Sequence, residues 1–260
     1  MQTVLFHETV FGPIHSRRLG TSLGINLSPN DGKTCSFDCL YCEAGFNAQG
    51  AGKSGLPSRE KVSKELETKL KAMKENGENL DVITFSGNGE PTLHPDFAAV
   101  IDDTMRLRDK YFPAVKISVL TNSTRLDRPD VVAALRKVDN NIVKLDSAIE
   151  STMRALDRPN SPGFTVEKVV PELAQFGTQA IVQTMFTYGS HDGTAVDNTT
   201  DEEIEALIDA YRKIRPAQIM IYSIDRKTPA QDLHKVSAEK LREIAKRITE
   251  ATGIPVSAAT

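Results

Sequence analysis

Cysteine is nearly absent from this chain. Among 260 residues only Cys35, Cys39 and Cys42 carry a thiol. An odd, tightly clustered set excludes the even pairing of a small disulfide-held secreted domain and points to metal or redox chemistry. Also missing is any run approaching the ~20 apolar residues of a membrane span. The N-terminal MQTVLFHETVFG has no basic segment followed by a long apolar one. The expectation is a cytoplasmic protein with no membrane partner. Charge of one sign is lacking too: 32 Lys and Arg stand against 35 Asp and Glu, a net charge of −3. Nothing overall therefore speaks for a nucleic-acid partner, and a local basic patch is the one route left open. No internal repeat or low-complexity block divides the chain. A single domain over 1–260 is expected, with 1–21 as an N-terminal extension within it.

What is present is an alternation of short apolar runs and amphipathic stretches. Runs 22–26, 81–85, 115–120, 141–147, 179–186 and 217–224 read as strands. Between and after them, 58–77 places Val62, Leu66, Leu70 and Met73 at helical spacing, with Ser58 as N-cap and Gly77 as stop. Pro95 marks the start of a helix with Phe97, Val100 and Ile101 on one face. Residues 128–138 and 165–176 read as two shorter helices. A capping box, Thr200 with Glu203, opens a helix striped by Ile204, Leu207, Ile208 and Tyr211. Ser237 caps a last helix that ends near Gly253. Strand and helix alternating about six times implies parallel strands joined by crossover helices. Periodicity admits an open doubly wound sheet or a barrel. In either, functional groups lie beyond the carboxyl ends of the strands.

The thiol spacing is C-x3-C-x2-C. A structural zinc site wants four ligands, the fourth here being a distant His7, His15 or His94. A thioredoxin-like pair leaves Cys35 spare. A ferredoxin run needs a fourth cysteine followed by proline, and the chain has neither. Three thiolates hold three irons of a four-iron cluster and leave the fourth open to a reactant. After strand 81–85, Ser86, Gly87, Asn88 and Gly89 form a turn that lets backbone approach a ligand, and Glu90 is suited to pair with an ammonium group.

The C-x3-C-x-Tyr-C pattern, followed by TFSGNGEPTLHPDF over 84–97, resembles the radical S-adenosylmethionine superfamily. The second motif is similar to that superfamily's glycine–glutamate motif, with Gly-Asn-Gly where adjacent glycines are frequent. Residues 11–45, 85–97 and the segment IMIYSIDRKTPA are similar to the compact subgroup related to tRNA wyosine-base synthases, although the auxiliary-cluster cysteines of those enzymes are lacking. The resemblance implies a partial (β/α)6-type barrel of parallel strands with outer helices. It implies a [4Fe-4S] cluster on Cys35, Cys39 and Cys42, and S-adenosyl-L-methionine held by Tyr41, Gly87, Asn88, Gly89, Glu90, Thr121, Asn122, Asp146, Thr184 and Tyr222. It also implies reductive cleavage to a 5′-deoxyadenosyl radical and a reducing partner such as a flavodoxin or ferredoxin. The substrate is a small molecule or a protein.

Other strand-end groups are Ser147, Gln183 and Ser223. Lys144 and Arg226 are the candidate catalytic residues, Lys144 as a base or Schiff-base former or as a snorkelling surface side chain. His15, Arg17 and Arg18 beside a Gly-rich turn form a candidate anion site, and Asp225 and Arg226 candidate substrate contacts. Residues 188–194 read as a flexible loop with an exposed His191. Two alternatives to a metabolite-directed enzyme are an activase that places a glycyl radical on a partner protein and a non-enzymatic zinc- or cluster-binding module.

Overall fold

The computed structural model describes residues 4–16 and 19–259. In chain order it contains β1 (Val10–Ser16), β2 (Gly20–Ile25), α1 (Arg59–Glu75), β3 (Val82–Phe85), α2 (Phe97–Tyr111), β4 (Lys116–Thr121), α3 (Pro129–Leu135), β5 (Asn140–Lys144), α4 (Glu150–Asp157) and α5 (Val166–Ala174). There follow β6 (Ala180–His191), β7 (Thr194–Asp197), α6 (Asp201–Ile214), β8 (Gln218–Ser223), β9 (Leu233–Lys235), α7 (Ala238–Thr252) and β10 (Val256–Ala259). The sheet runs β1-β2-β3-β4-β5-β6-β8-β10. Every pairing from β2 to β10 on this path is parallel, and β1 is antiparallel to β2. The edges β1 and β10 do not meet, so the sheet is an open partial barrel rather than a closed one.

Local signals account for most elements. Ser58, Thr200 and Ser237 each accept the backbone N–H three residues on and so cap α1, α6 and α7. Val62, Leu66, Leu70 and Met73 of α1 are buried against Leu23, Ile25, Ile83 and Phe85 of the sheet. The alternation of strands sends these residues to the helix side and leaves the other face polar. There Ser22 Oγ lies 2.8 Å from Thr84 Oγ1, and Asn140 Nδ2 donates to Ser118 Oγ at 2.9 Å. The same face carries Gly24, where a Cβ would stand 2.1 Å from the Phe11 ring that covers it.

Four features depart from the expected alternation. The stretch expected as an extension supplies the edge strand β1. The proline-containing stretch after β5 begins with the helix α4. Strand β6 continues past residue 186 to His191 and turns through Asp192 (φ 49°) and Gly193 (φ 77°) into β7. The 188–194 stretch is therefore a hairpin and not a flexible loop. Its Asp-Gly pair is the sequence signal of a two-residue turn that needs positive φ at both positions. Strand β9 pairs with the same extension of β6. Together they build a small antiparallel layer over the strand ends, around Leu40, Leu156, Met185, Val196, Ala230 and Leu233. Among the described residues no helix is long and apolar enough to cross a membrane.

Candidate active site

The cysteine loop is sewn to the strand ends on two sides. On one side Thr34 bridges to Gly89: Thr34 N–H donates to Asn88 O at 3.0 Å, and Glu90 N–H donates to Thr34 O at 3.0 Å. This approach needs glycine, because a Cβ on Gly89 would lie 1.8 Å from Thr34 O. A Cβ on Gly87 would lie 2.5 Å from Asn26 Oδ1. On the other side the loop uses carbonyls left free at the end of α4. Asp38 N–H donates to Asp157 O at 3.1 Å and Leu40 N–H to Leu156 O at 2.9 Å. Asn160 Nδ2 donates to Cys35 O at 3.2 Å.

Cys35, Cys39 and Cys42 are half-buried and free of disulfides. Cys35 Sγ accepts from Phe37 N–H at 3.4 Å and from Asn122 Nδ2 at 3.6 Å. Lys33, 4% exposed, donates from Nζ to Gly45 O at 2.8 Å. Burial disfavours its charge, but the thiolate forms of Cys42, Cys35 and Cys39 together with Asp38 outweigh it and raise the Lys33 pKa. Burial pushes the Cys35 thiol up to about 12 and drives Cys39 well above the usual thiol range. Loading such a site must therefore expel protons.

The donor set fits an anionic thiolate cluster: three soft sulfurs, N–H groups aimed at one of them, and a buried cation. It does not fit a mononuclear site. Among the described residues no three His, Cys, Asp or Glu side chains are grouped as ligands of one ion. The distant histidines do not complete a zinc site either. His94 is buried with Nε2 on Pro57 O at 2.8 Å and Nδ1 taking Asp96 N–H at 3.1 Å. His7 Nδ1 lies 3.0 Å from Asn30 O, and His15 is exposed on β1.

Several expected contacts are reassigned. Glu90 is 4% exposed and its carboxylate accepts four hydrogen bonds, three on Oε1 and one on Oε2. Oε1 accepts from Thr92 N–H (3.0 Å), Thr92 Oγ1 (2.6 Å) and Thr121 Oγ1 (2.7 Å), and Oε2 from Asn122 N–H (2.7 Å). Burial raises its pKa in spite of these donors. Glu90 thus ties the glycine turn to the end of β4. Thr121 is spent on the same bond. The Asn88 amide accepts from Phe6 N–H at 2.8 Å and donates to Phe6 O and Pro29 O, each at 2.9 Å, holding the N-terminal segment.

Thr184 points away from the strand-end face. Its hydroxyl donates to Leu145 O at 2.7 Å and lies 2.6 Å from Tyr211 Oη on α6. Ser147 likewise binds Glu203 Oε2 of α6 at 2.6 Å, and Ser223 donates to Phe186 O at 2.7 Å. The period of two instead places Gln183 beside Lys144 in register.

Tyr41, Asp146 and Tyr222 do come together. Tyr41 Oη donates to Asp146 Oδ2, and Lys144 Nζ donates to both. Asp146 Oδ1 also takes Met185 N–H at 3.0 Å, and Tyr41 and Tyr222 both pack against the apolar cluster of Leu40 and Met185. Lys144 is further paired with Asp157 at 2.8 Å. Burial works against the Lys144 charge, yet Asp146 and Asp157 drive its pKa well up. It is an ammonium locked between two carboxylates, neither a free base nor a snorkelling side chain. Burial pushes Asp157 up to about 7 against the pull of Lys144.

Of the remaining candidates, Asp225 and Arg226 lie at the surface, whereas His191, expected to be exposed, is half-buried. Arg226 Nη1 pairs with Glu43 Oε2 at 2.5 Å, latching the region after β8 to the cysteine loop. Asp225 pairs with Lys235 at 2.9 Å. His191 packs 5.7 Å from the Phe46 ring. Arg17 and Arg18 lie outside the described residues. Sequence reasoning missed Lys33, Asp157, Asn160 and Asn198. Asn198 is buried and donates to Asp146 O (2.8 Å) and Met185 O (2.7 Å). Only Lys33 had a sequence signal, its place two residues before the first thiol.

Comparison with known proteins agrees with this geometry. The family model described as the Radical SAM superfamily matches residues 30–209. A curated relative from Brachyspira hyodysenteriae named GTPase Obg is 31% identical over 247 residues, which cover 94% of this chain and 34% of that protein. The chain spans about a third of that relative, whose GTPase name has no counterpart in this site. Asn47 stands where a phosphate-cradling G-x4-G-K-S loop needs its first glycine. Lys53 N–H and Ser54 Oγ, in the same stretch, are bound to Asp31. Among solved structures, a radical SAM methyltransferase from Sphaerobacter thermophilus superposes with a TM-score of 0.66 at 14% identity, covering 92% of this chain and 65% of that one. TYW1 with a lysine-pyruvate adduct bound gives 0.60 at 14% identity, covering 90% and 75%. At these identities the likeness is one of fold.

Proposed function

This chain belongs to the radical S-adenosylmethionine superfamily, and from that premise we propose that it generates a 5′-deoxyadenosyl radical to abstract hydrogen from a small or medium-sized polar substrate. The observation that carries the reading is the docking of three free thiols against the Gly87–Glu90 turn through the Thr34–Gly89 bridge. When bound, a [4Fe-4S] cluster supplies the single electron that splits the cosubstrate's sulfonium. Cys35, Cys39 and Cys42 would hold three of its irons. Asn122 and Phe37 N–H orient the Cys35 sulfur, as groups around a metal site orient its ligands. Gly87 and Gly89 bring backbone close enough to bind the amino acid part of S-adenosylmethionine. Tyr41, held by Lys144 and Asp146, offers a fixed ring to the nucleoside part. The small antiparallel layer of β6, β7 and β9 shields the site from water, which a radical reaction needs. A flavodoxin or ferredoxin is the proposed electron donor.

Anaerobic reconstitution should load about four irons per chain. With dithionite the loaded protein should release 5′-deoxyadenosine and methionine from S-adenosylmethionine. A verified cluster that yields neither would refute the reading. A partner protein gaining a stable glycyl radical would reassign the substrate to the activase alternative.

A further inference from the structure

Lysine is among the side chains least often buried without full pairing, and Lys33 is 4% exposed. Its ammonium has one carbonyl, Gly45 O at 2.8 Å, and one carboxylate, Asp38 Oδ1 at 3.4 Å. That carboxylate is divided. Asp38 Oδ1 also accepts Asn47 N–H at 2.6 Å, and Asp38 Oδ2 pairs with Arg158 at 3.6 Å. The protein therefore places a cation in its interior with less opposing charge than burial demands. The carbonyl that holds the ammonium belongs to the cysteine loop itself, where Gly45 N–H donates to Cys42 O at 2.9 Å. By contrast, Lys144 stands between Asp146 and Asp157, and the Asp146 carboxylate already compensates it.

On the reading that the three cysteines hold a four-iron cluster, we propose that Lys33 is a positioning residue whose fixed charge sets the reduction potential of that cluster. Three thiolates on a four-iron core leave a net negative charge that grows by one on reduction. A buried positive charge beside the loop therefore stabilises the reduced form more than the oxidised form. This interaction is little screened, because Lys33 is shielded from solvent. The same residue completes its own compensation only when the cluster is bound, so Lys33 couples loading of the site to its electron affinity.

The test is an anaerobic dithionite titration of the loaded protein, followed by electron paramagnetic resonance, for wild type, Lys33→Gln, Lys33→Met and Lys33→Arg. In the two neutral variants the oxidised-to-reduced ratio at a fixed potential should rise at least tenfold. That corresponds to a midpoint lower by about 59 mV for one electron. The arginine variant should stay near wild type. A neutral variant that holds its cluster with an unchanged midpoint overturns the proposal and leaves the proposed function standing. Neutral variants that load poorly are titrated on the fraction of chains that carries a cluster, and the same midpoint criterion decides. An arginine variant whose midpoint falls in the same way overturns it, because shape and not charge is then what matters. A wild-type protein that takes up no iron refutes the proposed function and this inference together.

Discussion

At the scale of single residues, the site depends on charges whose partners come from distant parts of the chain. Lys144 faces two carboxylates, and one positive charge compensates one of them. Asp146 is the better served, with Tyr41 Oη and Met185 N–H as additional donors. Asp157 is left to keep a proton, and burial raises its pKa from 3.8 to about 7. A carboxyl raised on folding binds more protons in the native than in the unfolded state between those two values. Its contribution to stability is therefore full below about pH 4 and is lost as pH rises through about 7. In the cluster-free protein, the stability of wild type relative to Asp157→Asn should fall across that window in urea titrations at several pH values. A flat difference would show that Asp157 ionises normally. Glu90 carries a parallel lesson. The glycine–glutamate motif is legible as a unit, but that its carboxylate also braces the protein is not, because Thr92, Thr121 and Asn122 converge on it from two elements.

At the scale of elements, the helices and central strands are legible because their causes are local. Capping hydroxyls, stripes at helical spacing and short apolar runs all lie within a few residues of the feature they specify. The edge strand β1 and the short strands β7, β9 and β10 are not, since their pairing partners lie elsewhere in the chain. Thr184 shows the limit at closer range. The run 179–186 is evident as a strand, but which alternate residues face the site is set by the packing of β6 against α6. The glycine turn is where two elements approach too closely for any side chain. Gly89→Ala should push Thr34 and the cysteine loop away from β3. Iron uptake should fall by about tenfold or more, in line with losses of supporting groups around metal sites. The far-UV spectrum should remain native, because the core beneath is untouched. Normal iron content in that variant would mean that the Thr34–Gly89 bridge is dispensable.

At the scale of the whole molecule, a large apolar core of sheet and helices carries at the strand ends a smaller apolar cluster and, beside it, a polar and charged assembly. The large core and the charged assembly should differ in their response to metal. Cluster binding removes the cost of Lys33 and of the buried thiols, so the loaded protein should melt about 10 °C higher than the cluster-free one. This takes about 4 kcal/mol of linkage at about 2–4 °C per kcal/mol for a chain of this size. Hydrogen exchange should slow at 33–45 and 156–160 while β3 and β4 stay unchanged, and uniform slowing would contradict this division. The sequence by itself determined the chemistry and the architecture class: three thiols within eight residues, a glycine turn after a strand, and an alternation that specifies parallel strands. Those features are written in spacing, and spacing is local. Only the tertiary structure decided that Glu90, Asn88 and Thr184 turn inward to brace the fold, that Lys144 is a locked ammonium, and that Lys33 lies buried beside the thiols. Each depends on which side chains and backbone groups converge from elements far apart in sequence, and on how much water their packing excludes.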